Sequence, residues 1–216
     1  DGLILIPPIK SANILKLLSF QNIPFVIIDR IFKDMDFNTV NIDNHKAAYD
    51  ATIRLIENER KHVGLVNVNN ELFTMAQRTA GYVDALTDSG IEIDLELIKQ
   101  LKFSNVEKNI NKAVNLLIDK NVDAIIFTTN KLGIFGIQAI RNRGKRIPAD
   151  IAVISFDDAD AYSLAITPIT AVKQPLKQMS KDAVRILMKA IDSNNSKINS
   201  EQVTLNVSFV VRESCP

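Results

Sequence analysis

Residues Ile151 to Pro175 read IAVISFDDADAYSLAITPITAVKQP. The opening run is apolar and mostly β-branched, the composition of a strand buried on both faces of a parallel sheet. It stops abruptly at Asp157-Asp158. A polar, irregular loop with Tyr162 and Pro168 follows, then a short apolar segment from Ile169 to Val172. Gln174-Pro175 then launches a long amphipathic pattern. Open α/β sheets bind ligands beyond the carboxyl ends of their strands. A buried strand that ends in two carboxylates is therefore a candidate wall of a site.

Working outward, the same alternation of strand and helix covers the chain. Leu3 to Ile6 reads as a buried strand closed by Pro7-Pro8, and Ser11 to Phe20 as a helix with Ile14, Leu15, Leu17 and Leu18 inward. Phe25 to Ile28 is a second buried strand, ending at Asp29-Arg30. Thr39 to Ile42 is a weak strand, and Asp43 or Asn44 can cap the helix that runs to about Asn58. His62 to Val68 is a strand, and Phe73 to Asp88 a helix closed by Gly90. Leu97 to Phe103 is a strand. Ser104, with Glu107 three residues on, has the spacing of a capping box for a helix to about Lys120. Asp123 to Phe127 is a buried strand that ends in Thr128-Thr129-Asn130, and a helix then runs to about Asn142. Beyond the opening stretch, Leu176, Met179, Ala183, Ile186, Leu187 and Ala190 mark a helix with Pro175 in its first turn. Gln202 to Val211 reads as a terminal strand. The predicted class is α/β with parallel sheets, divided into two lobes.

Composition excludes several functions. A net charge of +1 over 216 residues gives no electrostatic case for nucleic-acid binding by this segment. The single cysteine, Cys215, cannot form an internal disulfide, which points to a reducing compartment. No apolar run approaches the ~18 residues of a membrane span. His45 and His62 have no ligand partners at metal spacing. No nucleophile elbow, P-loop or dinucleotide fingerprint is present, so no cofactor is expected. The chain opens in mid-pattern at Asp1-Gly2 and is expected to be part of a longer protein.

Asp29, Phe103, Thr128, Thr129, Asn130 and Asp157 all follow or end strands. Carboxylates, an amide, hydroxyls and an aromatic face together suit a polyhydroxylated or heterocyclic small molecule. Each residue also has a plain structural use, since Asp, Asn and Thr after strands form turns and cap helices. The residues by themselves stop at an α/β small-molecule binder or enzyme.

The segments DGLILIP, IPFVIIDR, VNIDNHKAAYDAT, QRTAGYVDAL, DAIIFTTN, VISFDDADAYSLAITPITAVKQP and FVVRESC resemble, in order and spacing, the LacI/GalR family of bacterial transcription regulators. The resemblance covers essentially the whole chain. It implies the type I periplasmic-binding-protein fold: two α/β lobes, three crossovers, and an effector held between the lobes. One lobe would comprise 1–43 and 175–205, the other 44–172 and 206–216. The first would be incomplete, with its first strand–helix units and a DNA-binding helix-turn-helix upstream. The implied partners are a small effector (a sugar, sugar phosphate or purine), operator DNA through that headpiece, and a second subunit in a cytoplasmic homodimer. The alternative on the same fold is a periplasmic sugar-binding protein of a transporter or sensor.

Residue by residue, the resemblance assigns effector contacts to Arg78, Asp157, Asp29, Phe103, Asn130 and Gln174. A guanidinium offers a rigid donor fork for vicinal hydroxyls or a carboxylate. The plain alternatives are a salt-bridging Arg78, a core Phe103 and a helix-capping Asn130. Three departures bear on the pocket. Lys131 stands where the family has an aspartate, Ser155 replaces the glycine before the FDD motif, and Asn67-Val68 stands where a glycine is common.

Overall fold

The computed structural model describes residues 1–32, 35–68, 73–102, 104–192 and 200–216. The chain folds into two compact units, one of Asp1–Asp43, Glu71–Thr74 and Pro175–Asn206, the other of Asn44–Asn70, Met75–Gln174 and Val207–Pro216. Both are α/β, as the alternation predicts.

In the first unit, β1 (Leu3–Leu5), β2 (Phe25–Ile28), β3 (Thr39–Ile42) and β9 (Gln202–Leu205) form an all-parallel sheet in the order β1-β2-β3-β9. α1 (Ala12–Phe20) and α7 (Leu176–Asp192) belong to the same unit. Leu15, Phe25 and Ile27 make its small core, with Phe37 tilted against Phe25 at 5.2 Å between ring centroids. Met179, Ala183 and Ile186 are the buried stripe of α7. Two expectations need correction here. Among the described residues β1 pairs with β2 alone, and Leu3 and Ile4 are 39% and 45% exposed where the apolar run suggests burial. On α1 only Leu15 is buried. Ile14 and Leu17 face outward, so the apolar stripe is narrower than the sequence suggests.

The second unit carries a six-stranded sheet in the order β10-β8-β7-β6-β4-β5, from β4 (Val63–Val68), β5 (Ile98–Leu101), β6 (Ala124–Phe127), β7 (Ala152–Phe156), β8 (Thr170–Lys173) and β10 (Ser208–Val210). All neighbours are parallel except β10, which is antiparallel to β8. Its helices are α2 (Asn44–Glu57), α3 (Phe73–Asp88), α4 (Val106–Asp119), α5 (Asn130–Asn142) and the short α6 (Asp160–Ser163). The core joins Ala47, Ala51 and Leu55 of α2 and Tyr82 and Leu86 of α3 to Leu65, Ile126 and Ile154 of the sheet. Tyr82 satisfies its hydroxyl on the Val63 carbonyl at 2.7 Å, and burial raises its pKa well above the usual phenol range. Gly81 lets α3 approach α2, since a Cβ there would lie 2.0 Å from the His45 carbonyl oxygen.

The predicted terminal strand from Gln202 to Val211 is two strands. β9 pairs in the first sheet and β10 in the second, with the break at Asn206-Val207. Beyond β10, the chain end is tied into the sheet. Ser214 Oγ accepts from the Thr170 amide at 2.8 Å and donates to the Val153 carbonyl at 2.6 Å. Thr170 Oγ1 donates to the Cys215 carbonyl at 2.8 Å and accepts from the Arg212 amide at 2.9 Å. The capping box is also corrected. α4 is entered through Asn105 in a left-handed conformation (φ 51°) without a side-chain cap, and the Ser104 carbonyl instead accepts from Asn109. The strand expected from Leu97 is Ile98–Leu101, preceded by a 3-10 turn whose N-cap, Asp94, accepts from the Glu96 amide.

Candidate functional site

β4, β6 and β7 are neighbours in the second sheet, and a polar cluster forms at their carboxyl ends. Asn67, fully buried near the end of β4, donates to the Met75 carbonyl and to Thr79 Oγ1, each at 2.9 Å. Its Oδ1 accepts from Thr128 Oγ1 at 2.6 Å and from the Val68 amide at 2.8 Å. All four hydrogen-bonding positions of the amide are thus engaged. A polar residue inside the apolar run VGLVNV was the only sequence signal for this role.

Arg78 of α3 crosses the cluster and is 2% exposed. Its Nε donates to Asn44 Oδ1 at 2.8 Å, and a terminal nitrogen donates to the Thr128 carbonyl. The guanidinium carbon lies 4.1 Å from the centroid of the Phe156 ring. That is within the range where a cation is attracted to the ring face. The starts and ends of three elements (α2, β6 and β7) therefore converge on one side chain. Asn44, Thr128 and Phe156 come from separate segments, so no local pattern in the sequence pairs them with Arg78.

Asp157 directly follows Phe156. Its backbone is left-handed at φ 64°, a conformation that Asp tolerates better than most residues. The amide donates to the Val172 carbonyl at 2.9 Å, and Oδ1 accepts from Gln174 Nε2 at 2.6 Å. Two of the expected effector residues are thus directly joined, and both are half-buried. Asp158 goes elsewhere. It pairs with Arg212 at 2.9 Å and with Lys173 at 3.4 Å, and Arg212 also donates to the Ile169 carbonyl. The adjacent acids diverge, one toward Gln174 and one into the clasp of the chain end.

Asn130 is the first residue of α5 and is exposed. The capping role open to it in the sequence is taken by Thr129, whose hydroxyl accepts from the Leu132 amide at 3.3 Å. Lys131 is exposed as well. In the first unit, Asp29 ends β2 in the same way that Asp157 ends β7, left-handed at φ 57°, with its amide on the Val40 carbonyl and its carboxylate paired to Arg30. Phe103 lies outside the described residues.

Arg78, Asn130, Asp157 and Gln174 therefore all stand at or beside strand ends of one sheet, and they combine a charged donor fork, two amides and a carboxylate. Such a set can hydrogen-bond a neutral polyol in a defined orientation. Among the described residues, no three His, Cys, Asp or Glu side chains gather as a metal would need. Two cavities, of about 570 and 400 Å3, flank α5 and share Ile137, Arg141 and Ala165. Neither is lined by any of these four residues.

Residues 52–215 match the family described as periplasmic binding protein-like domain. Over 217 residues the chain is 27% identical to the HTH-type transcriptional regulator RegA of Clostridium saccharobutylicum, covering 99% of this chain and 64% of RegA. It is 30% identical to the HTH-type regulator DegA of Bacillus subtilis, with the same coverage of both chains. The chain thus spans just under two thirds of these relatives. Among solved structures, a transcriptional regulator CelR–cellobiose complex superposes with a TM-score of 0.89 at 27% identity, over 99% of this chain and 65% of that one. The putative transcriptional regulator LacI of Bacillus cereus subsp. cytotoxis superposes with a TM-score of 0.88 at 25% identity, over 100% of this chain and 76% of that one.

Proposed function

We propose, from the premise that this chain belongs to the periplasmic binding protein-like domain family, that it is the effector-sensing and dimerising core of a LacI/GalR-type transcription regulator. The observation that carries the reading is the Asp157–Gln174 hydrogen bond at the strand ends of the second unit, with Arg78 seated on the ring of Phe156, the residue before Asp157. The effector is a neutral sugar, in keeping with the cellobiose of the CelR complex. Asp157 accepts from its hydroxyls, and the amides of Gln174 and Asn130 supply donors and acceptors. Asp29 and Phe103 are assigned to the effector by the family resemblance alone. DNA is contacted by a helix-turn-helix outside these residues, and the protein works in the cytoplasm, where its operator lies. The relatives' names favour this reading over a transporter's binding protein and over an enzyme.

A thermal-shift screen of cellobiose and other sugars, sugar phosphates and purines tests the proposal, since a ligand that binds only the folded state raises its stability by mass action. A hit among sugars is expected. A response confined to purines would overturn the assignment of class. Asp157→Ala should weaken the binding of the identified sugar by about 2–4 kcal/mol, the scale of a lost charged hydrogen bond, and calorimetry showing unchanged affinity would remove Asp157 from the site.

The second subunit docks on the exposed apolar surface after α6, where Leu164 and Ile166 are 83% and 78% exposed and the intervening Ala165 lines both cavities. Lone exposed apolar residues are ordinary, but a contiguous patch marks an interface. The wild type is expected to sediment as a dimer at micromolar concentration, and a Leu164→Glu/Ile166→Glu variant as a monomer. A wild-type monomer would contradict the proposal.

A further inference from the structure

Tyr162 is the one large polar side chain of the α6 region that is buried, at 1% exposure. Its hydroxyl lies 2.6 Å from Ser155 Oγ and 3.1 Å from the Asn130 carbonyl. Each hydroxyl has one proton to give. The carbonyl can only accept, so Tyr162 donates to Asn130 and Ser155 donates to Tyr162, a relay running from β7 through α6 to the first turn of α5. The longer contacts from Ser155 Oγ to the carbonyls of Phe156 (3.3 Å) and Thr129 (3.5 Å) are the alternatives it gives up.

Room for this pair is made by Gly133. A Cβ at that position would lie 2.1 Å from the Tyr162 hydroxyl and 2.3 Å from Ser155 Oγ. Glycine inside a helix costs ~1 kcal/mol relative to alanine, so its presence here needs a packing reason, and the relay supplies one. Ser155, Gly133 and Tyr162 are thus packed directly against one another. The backbone of Tyr162 extends the link, because its carbonyl accepts from the Ile169 amide at 3.0 Å. The relay touches the strand end that carries Asp157, the helix start that carries Asn130, and the segment that carries Leu164 and Ile166.

We infer that Tyr162 is a positioning residue for the candidate effector site: its hydroxyl, held by Ser155 in the space left by Gly133, fixes the Asn130 end of α5 against the Asp157 end of β7. The inference deepens the proposed function and rests on that reading for the site's purpose, while the relay itself can be tested without any effector. Hydrogen bonds in series polarise one another, so removing the middle member loses more than one contact. Burial raises the Tyr162 pKa, which keeps the phenol protonated as a donor at neutral pH.

Tyr162→Phe keeps the ring and removes the relay. Amide hydrogen exchange on this variant, with no ligand present, is expected to accelerate about tenfold at residues 131–134 and at Asp157. Exchange in α2 and α4 should not change, and the melting temperature should fall by only about 2–4 °C. Unchanged exchange at both places, or uniform acceleration across the unit, would overturn the inference. A second test separates positioning from simple packing. Gly133→Ala should destabilise the wild type strongly but be neutral or stabilising in a Ser155→Gly/Tyr162→Phe background, where alanine's helix preference is free to act. Equal costs in both backgrounds would show that the three residues are independent. Failure of the sugar screen would leave both results standing, so the two readings fail separately.

Discussion

Replacing Arg78 with alanine is expected to lower the unfolding free energy by about 3–5 kcal/mol, and to do so in the absence of any effector. Two hydrogen bonds to a charged donor are lost, each worth ~1.5–3 kcal/mol, and the Asn44 side chain and Thr128 carbonyl lose a buried donor. The side chain also leaves a cavity beside Phe156. For a protein of this size the fall corresponds to roughly 10 °C in melting temperature. Lysine at this position keeps the charge but not the planar fork, so it should recover only part of the loss. If Arg78 served the effector alone, calorimetry would find the variant as stable as the wild type, since residues kept for function commonly sit at some cost to stability. The expected outcome is instead a double role. The residue that the family resemblance assigns to the ligand is also a brace between α2, β6 and β7.

Gly81→Ala should be nearly as damaging, by about 3 kcal/mol or more. The added Cβ would meet the His45 carbonyl oxygen at 2.0 Å and the Tyr49 amide nitrogen at 2.9 Å. Both are backbone atoms of α2, so no side chain can swing aside, and relief requires moving one helix against the other. Alanine's helix preference of ~1 kcal/mol offsets only a minor part. Urea denaturation gives the cost from the shift in midpoint. Gly90→Ala is the informative comparison. That glycine is left-handed at φ 67° with open space around it, so its substitution should cost only ~1–2 kcal/mol of backbone strain. Similar losses at the two positions would show that the close approach of α2 and α3 is not what glycine serves at 81.

Much of the fold was legible because each unit is built from short local patterns. The run Phe25–Ile28, the helix Phe73–Asp88 closed by Gly90, and the strand Ala124–Phe127 all appear where periodicity puts them. What was not legible is long-range in origin. An apolar run such as Leu3–Leu5 reads as buried whatever strands flank it, because its neighbours are set by distant segments. It cannot say that Gln202–Val211 serves two sheets, because an alternating pattern looks the same whichever partner it finds. Ser104 and Glu107 have capping-box spacing, yet the left-handed Asn105 between them changes the entry angle. At the site, Asp157 and Gln174 were visible as strand-end polar residues, but their hydrogen bond spans 17 positions. The partners of Arg78 lie 34 and 50 positions away. A pattern with a range of a few residues cannot pair them.

The clasp of Ser214 and Thr170 has a consequence in time. During synthesis, β8 leaves the ribosome before the 32 residues of Pro175–Asn206, which belong to the other unit, and only then do β10 and Ser214 emerge. At about 5–20 residues per second, that interval lasts roughly 2–6 s. Throughout it, β8 lacks its β10 neighbour, and an unpaired strand edge is the kind of surface that invites pairing with a neighbouring nascent chain. Lys173, at the end of that edge and exposed, is the sort of charged residue that discourages such pairing. The protein's yield in the cell should therefore depend on how quickly β10 and Ser214 follow β8.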